Sequence, residues 1–150
     1  MQLKFKNQEL VPAQKFLNEM TVTGAQQNIA RVRLVTLIGD KLKEVEEDRM
    51  TAIKQFARLD ENGNPKTKGN NYDVPDNKMP FLTKAVRDLQ EAESAITIDD
   101  YQPQIKALRE VLLNYNEPLK GQEATALVGL IDKIEVAGIV LKDTEEKEGK

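Results

Sequence analysis

The feature that most constrains this fold is a long stretch without a helix breaker. Residues 25–59 contain no proline and a single glycine, Gly39, and their apolar residues recur at spacings of three and four. This periodicity predicts one amphipathic helix, which would be roughly 50 Å long at about 1.5 Å per residue. A compact domain of 150 residues does not need a helix of that length. We therefore expect part of it to pack on other helices or on another chain.

The apolar positions of this helix fit a heptad seam from Val35 onward. Arg49 interrupts the seam, and two interpretations of it are open. Its long aliphatic stem could cover the edge of the core, or its polar head could set the register of an oligomer. The successive pairs of the seam are Val35/Ile38, Leu42/Val45, Arg49/Ala52 and Phe56/Leu59.

The rest of the chain predicts shorter helices and a small β-sheet, so the fold class is mainly α, with about five helices around the long one at 25–59. Alternating or β-branched residues predict the strands of the sheet at 2–6, 96–98 and 139–141. Gly138 is expected to end the last helix. The shorter helices are expected near residues 9–20, 79–93, 100–115 and 122–136.

Residues 60–79 are predicted to form an irregular or hairpin loop, because Asn62-Gly63 is a strong turn signal and two short strands can flank residues 68–71. The spacing Asp60-x-Asn62-x-Asn64 imitates the start of a calcium loop. Pro65 replaces the required glycine, however, and Asn71 replaces the bidentate glutamate. Turn formation is therefore the favoured interpretation. We expect residues 1–141 to form a single helical domain, followed by a charged flexible tail at 142–150.

The composition excludes several kinds of enzyme, because the chain has neither histidine nor cysteine. A Cys–His nucleophile, a Ser–His–Asp triad, an imidazole base and zinc or iron–sulfur sites built on these residues are all impossible. Ser94 is the one serine, and no glycine-rich phosphate-binding motif is present. We therefore expect a protein that is not an enzyme and that needs no cofactor or metal.

The lack of histidine and cysteine leaves one enzymatic alternative, an enzyme that binds magnesium through carboxylates. Glu44-x-x-Glu47 resembles half of the ligand set of all-helical nucleotide pyrophosphohydrolases. The downstream counterpart, Glu61-x-x-Asn64, lacks the second carboxylate. A solvated acidic helix face explains Glu44, Glu46, Glu47 and Asp48 more simply, so a magnesium-dependent helical hydrolase is the less favoured hypothesis.

The charge is divided along the chain: residues 1–59 carry a net charge of +3, and residues 82–150 carry −5. Matching of basic and acidic elements, within one chain or between subunits, explains this division without a nucleic-acid partner. Two arginines without interleaved aromatic residues are a weak nucleic-acid footprint. No long apolar span or secretory segment appears, so neither a membrane partner nor secretion is expected. The candidate partner-binding residues are Arg31, Arg33, Arg49 and Tyr72.

The order of several short motifs resembles a family of uncharacterised small proteins of tailed phages and prophages of low-GC Gram-positive bacteria. These motifs are Leu3-Lys-Phe-Lys-Asn-Gln-Glu-Leu10, the stretch from Gly24-Ala25 to Ala30-Arg31-Val-Arg33, Leu59-Asp-Glu-Asn-Gly-Asn-Pro-Lys66 and the β-branched run before Asp99. The resemblance covers most of residues 1–135 and implies a phage protein made in the cytoplasm of a bacterial host. It assigns no activity and no catalytic residues.

Together these observations predict a non-enzymatic phage protein that acts through protein–protein contacts. Its partner would be a second copy of itself, another phage protein or a host protein, and its role would be that of an assembly or accessory factor or of a host-protein binder. A homo-oligomer is one form that such contacts would take. The alternative from another class is an inhibitor of a host defence nuclease, such as an anti-CRISPR protein.

Overall fold

A computed structural model describes the backbone of residues 1–148 and the side chains of residues 1–138. It confirms a mainly helical fold with five helices, a two-stranded antiparallel sheet and a second short hairpin. The elements are β1 (Gln2–Lys6), α1 (Asn7–Glu19), α2 (Ala25–Phe56), β2 (Thr67–Lys68), β3 (Asn71–Tyr72), α3 (Met79–Glu91), β4 (Glu93–Thr97), a 3₁₀ turn (Asp99–Tyr101), α4 (Gln102–Leu113) and α5 (Gly121–Glu148).

The sheet joins the start of the chain to its middle. Strand β1 pairs antiparallel with β4, from Gln2 opposite Thr97 to Lys6 opposite Glu93. Leu3 and Phe5 point into the core, whereas their neighbours along the strand are exposed, as the period-2 pattern requires. The predicted strands at 2–6 and 96–98 are thus confirmed, with the second beginning a few residues earlier.

The predicted third strand at 139–141 is wrong, because these residues continue α5 through Gly138 to Glu148. A single glycine costs a helix only about 1 kcal/mol relative to alanine. Four core positions of α5 (Ala126, Leu130, Ile134 and Ala137) follow the helical spacing up to this glycine. The flexibility expected for residues 142–150 stays a prediction, and residues 149 and 150 lie outside the described part of the chain.

The main core lies between α1, the first half of α2, α4, α5 and the inner face of the sheet. Leu10, Leu34, Leu108 and Leu130, one from each helix, are all at most 1% exposed there. Burying each such side chain stabilises the fold by about 1.5–3 kcal/mol. The N-terminal ammonium group pairs with Asp99, which fixes β1 against the 3₁₀ turn.

Helix α2 confirms the long predicted helix but ends at Phe56 rather than at residue 59. The first half of the predicted heptad seam faces the core, with Ile38 buried and Val35, Leu42 and Val45 partly buried against it. The other buried positions of α2 (Ala30, Leu34 and Ile53) lie outside the seam, and Leu59 of the seam lies beyond the helix and is 44% exposed. The helix changes its neighbours along its length: α1 and α4 pack on its first half and α3 packs on its second. No single stripe therefore faces the core throughout.

The segment between α2 and α3 confirms the predicted hairpin and is held by backbone hydrogen bonds. Arg58 N–H donates to the Asp73 carbonyl oxygen (2.9 Å), Lys66 N–H to that of Arg58 (2.7 Å) and Asp73 N–H to that of Lys66 (2.8 Å). The Asp60 carboxylate accepts hydrogen bonds from the N–H groups of Asn62 and Asn64 at 2.8 and 3.0 Å. Asp60 therefore closes a turn, as its sequence context indicates.

Residues 46–91, which we call the arm, lie outside the main core. The arm comprises the second half of α2, the hairpin segment and α3, and it contributes no residue to the core cluster. The ring of Phe56 at the end of α2 stacks on Phe81 at the start of α3. At the other end of α3, Leu89 is hydrogen-bonded to Asn7 of α1. The two helices of the arm thus run antiparallel and form a single layer.

Among the described residues, none of the helices combines the length and the apolar character needed to cross a bilayer.

Candidate functional site

The four residues predicted to bind a partner occupy separate places rather than one patch. Arg31 and Arg33 lie near the start of α2, Arg49 lies in the arm, and Tyr72 lies in the hairpin. Along α2, Arg33 and Arg49 are separated by about 24 Å of helix rise. Their assignment to partner binding stays a prediction, and the contacts of each one indicate what it does within the chain.

Arg31 ties α2 to α1, because its Nη1 donates to the Leu17 carbonyl oxygen at 3.1 Å and its Nε donates to Asn28 Oδ1 at 3.2 Å. The Arg33 guanidinium lies 5.7 Å from the centre of the Tyr101 ring, a cation–π contact. These contacts already engage both arginines in the packing of the fold.

Arg49 and Tyr72 are half-buried. Arg49 Nη1 donates to Glu46 Oε1 at 3.0 Å one turn earlier in α2, and Tyr72 pairs with Thr67 across the hairpin. The half-buried position of Arg49 fits the interpretation in which its stem covers the edge of an apolar face.

Three exposed apolar side chains in the outer part of the arm are the feature that sequence reasoning missed. Phe81 is 62% exposed, Leu59 is 44% exposed and Met79 is 42% exposed. The Phe81 ring stacks on Phe56 with centroids 6.3 Å apart and planes 18° apart. One face of Phe81 is thus covered by the arm itself, while the rest of the ring faces solvent.

The local sequence explains why α3 leaves apolar groups uncovered. Pro80 occupies the first turn of the helix, where its missing N–H costs nothing. Leu82, Val86 and Leu89 are only half-buried, and no residue of α3 is fully buried. A single layer of two helices cannot cover both flanks of each helix. A shallow groove of about 340 Å³ therefore runs along one flank of α3 between Met79 and Gln90.

The outer part of the arm, residues 54–87, is basic. We call this segment the arm tip. It carries seven lysines and arginines against four acidic residues, a net charge of +3 in a chain whose total is −3. Arg58 pairs with Asp73 at 2.8 Å and Lys84 pairs with Asp88 at 2.7 Å. Within the described residues, the other cations of the tip have no ion-pair partner; they are Lys54, Lys66, Lys68, Lys78 and Arg87.

The base of the arm is anchored to the body by one buried polar residue. Asn7, which is 8% exposed, donates from Nδ2 to the Leu89 carbonyl oxygen at 2.7 Å. Its Oδ1 accepts from the Ser94 hydroxyl at 2.6 Å, and its backbone N–H donates to the Ala92 carbonyl oxygen at 2.9 Å. These bonds fix the end of α3 against α1, so the arm is a defined extension of the fold.

The acidic face of α2 does not form a carboxylate cage. Glu44 pairs with Lys41 at 3.2 Å and Glu46 pairs with Arg49 at 3.0 Å, each within one helical turn. Across the part of the chain whose side chains are described, no group of three or more acidic residues is arranged to hold a metal ion.

The comparisons with known proteins add no identity: no protein-family model, curated protein or solved structure matches the chain. The resemblance to phage proteins therefore stays a prediction from short motifs, and the geometry of the arm is the main guide to function.

Proposed function

We propose that this chain is a non-enzymatic binding protein that contacts a protein partner through the arm tip. The observation that carries this proposal is Phe81, a large aromatic side chain that is 62% exposed in a segment where Met79 and Leu59 are also exposed. Aromatic residues are enriched at the centres of protein interfaces, where a few side chains supply most of the affinity. Large apolar side chains that are exposed rather than buried are also typical of surfaces that bind another protein.

The surroundings of Phe81 support a binding surface rather than a catalytic one. The hairpin backbone is internally hydrogen-bonded, and Phe56 supports the Phe81 ring from one side. A surface that is ordered before binding loses less conformational entropy when the partner arrives. The unpaired lysines around it would steer an acidic partner and limit contact with basic ones.

The sequence resemblance indicates where such a partner would be found. We propose that it is a protein of the phage or of its bacterial host, contacted in an assembly or accessory role. The arm tip, which includes Tyr72, would then be the part of the chain that recognises it. Arg31, Arg33 and Arg49 lie outside the tip and would act mainly by supporting the fold.

Phe81→Asp is expected to weaken capture of the partner by at least about tenfold, because it replaces an apolar anchor with a charge opposite in sign to the tip. The measurement is affinity capture from phage-infected host cells, with wild-type protein and variants as baits at equal concentration. Thermal unfolding of the variant should stay close to that of the wild type, since Phe81 is mostly exposed.

Val32→Asp is the matched control, because Val32 is 51% exposed on the first half of α2, outside the arm. It should capture the partner as the wild type does. The proposal is wrong if Phe81→Asp retains full capture, or if Val32→Asp loses as much as Phe81→Asp.

A further inference from the structure

The flank of α3 that carries the shallow groove between Met79 and Gln90 has a second shallow groove beside it. The second groove has a volume of about 530 Å³. Met79, Thr83 and Arg87 line both grooves. Since these three residues follow one another at a spacing of four, their side chains form one ridge along the helix. The ridge stands between the two grooves.

Each groove is bounded on its far side by the next row of side chains along the chain. These rows are Leu82, Val86 and Gln90 for the first groove, and Asp76, Pro80 and Lys84 for the second. Among the described residues, no element other than α3 and the turn before it lines either groove. In the commonest class of helix–helix contact, rows of residues four apart on one helix pack into such grooves on the other. The relief of this flank therefore fits a second helix.

The charge on the flank indicates what that helix carries. The residues that line the grooves have a net charge of +1, from Lys84 and Arg87 against Asp76. Lys84 is paired with Asp88 at 2.7 Å, whereas Arg87 is exposed and has no ion-pair partner within the described part of the chain. A carboxylate on the incoming helix would match this charge, and a basic helix would be repelled by it.

We infer that this flank of α3 binds an acidic amphipathic helix of the protein partner, and that Arg87 selects for its acidic character. The inference rests on the proposed function of the arm tip, and it names the secondary structure and charge of the segment that is bound. Apolar residues four apart on the partner helix would lie against Met79, Leu82 and Val86, in a helix-in-groove contact. Phe81 lines neither groove, so it forms a separate part of the interface.

A second copy of this chain is a poorer occupant of the same flank. Two copies that met through it would bring Arg87 and Lys84 of each molecule toward the same cations of the other. Like charges placed together oppose association. The acidic helix of another protein avoids this repulsion.

Selection from a displayed library of helical peptides tests the inference. Each peptide carries apolar residues four apart on one face, and the positions beside that face hold Glu, Lys or Gln at equal frequency. Wild-type protein should enrich peptides rich in Glu, and Arg87→Glu should lose this preference. Lys15→Glu is the matched control and should keep it, because it makes the same charge change at an exposed lysine of α1, outside the arm.

Binding of one enriched peptide is then measured by fluorescence anisotropy. Arg87→Glu should weaken it by at least about fivefold relative to Lys15→Glu at low salt, and added salt should reduce the difference by screening. Thermal unfolding should be unchanged in both variants, since both side chains are exposed.

The inference is overturned if no peptide is enriched, if the enriched peptides are not acidic, or if Arg87→Glu binds the peptide as tightly as Lys15→Glu does. Two further outcomes would overturn it by naming another occupant. They are Arg87-dependent binding of single-stranded oligothymidylate without enrichment of acidic peptides, and self-association of the wild type that Arg87→Glu abolishes.

These outcomes differ from a failure of the proposed function. Loss of partner capture on Phe81→Asp, without enrichment of acidic peptides, would keep the arm tip as a binding surface and remove the acidic helix. Enrichment of acidic peptides, with full capture by Phe81→Asp, would keep the grooves as a binding site and contradict the role of Phe81.

Discussion

Phe5→Ala is expected to destabilise the protein by about 3–5 kcal/mol, the cost typical of removing a buried phenylalanine ring. Phe5 is 1% exposed, and the centre of its ring lies 5.2 Å from the Lys133 ammonium of α5. Its loss would leave a cavity where the sheet meets two helices. Urea unfolding followed by circular dichroism gives the free energy of unfolding of the wild type and the variant.

Phe81→Ala is the control for this prediction, because it removes the same ring from an exposed site. Phe81→Ala should lower the free energy of unfolding by about 1 kcal/mol or less, which is the contribution of one aromatic stacking contact. Equal losses from the two substitutions would contradict the division of the molecule into a packed body and an exposed arm tip.

Asn7→Ala is expected to lower the free energy of unfolding by about 1–3 kcal/mol, because it leaves buried groups without hydrogen-bond partners. The affected groups are the Leu89 carbonyl oxygen and the Ser94 hydroxyl, both of which bond to the Asn7 side chain. Amide exchange in α3 should also become faster in this variant, since the base of the arm is released while the core is retained.

A double-mutant cycle with Ser94→Ala provides the check on Asn7. Because the two side chains bond to each other at 2.6 Å, the double variant should lose less stability than the two single losses added together. Additive losses, or α3 exchange that is unchanged by Asn7→Ala, would show that this residue does not anchor the arm.

Much of the fold could be predicted because its signals are local. The length of α2 follows from a run without proline, and the pairing of β1 with β4 follows from two short segments with strand patterns. The hairpin follows from turn residues such as Gly63 and Gly69, which both adopt positive φ. The helix and the hairpin depend on residues that are close together in sequence. Each strand of the sheet also has its own local pattern, although their pairing joins distant residues such as Gln2 and Thr97.

The strand wrongly predicted at 139–141 shows where local signals fail. Ile139 and Val140 are β-branched and follow a glycine, but α5 continues through them. A run of three apolar residues fits a helix as well as a strand. The helical spacing of the apolar residues before Gly138 extends over more residues, and it is the better guide to the structure of 139–141.

The candidate site could not be predicted in the same way. The apolar stripe of α3 contains Leu82, Ala85, Val86 and Leu89, and Phe81 lies outside it. This position is the one signal in the sequence that Phe81 does not face the same way as the stripe. Its exposure depends on which elements pack beside the arm, and the residues around Phe81 do not reveal them.

The four residues singled out from sequence illustrate the same limit. Charge and aromatic character mark a residue as able to bind, but they do not reveal its neighbours in the fold. Arg31 is engaged by the Leu17 carbonyl oxygen and Arg33 by the Tyr101 ring. The cations of the arm tip, including Lys66 and Lys78, have no such engagement among the described residues.

Amide hydrogen–deuterium exchange is the sharpest test of the arm tip as the binding surface, because it locates the contact along the chain. The protein is measured free and again bound to the captured partner. We expect slower exchange in residues 54–87 on binding, with the first half of α2 unchanged. Protection confined to the first half of α2, with residues 54–87 exchanging at their free rate, would contradict the proposal.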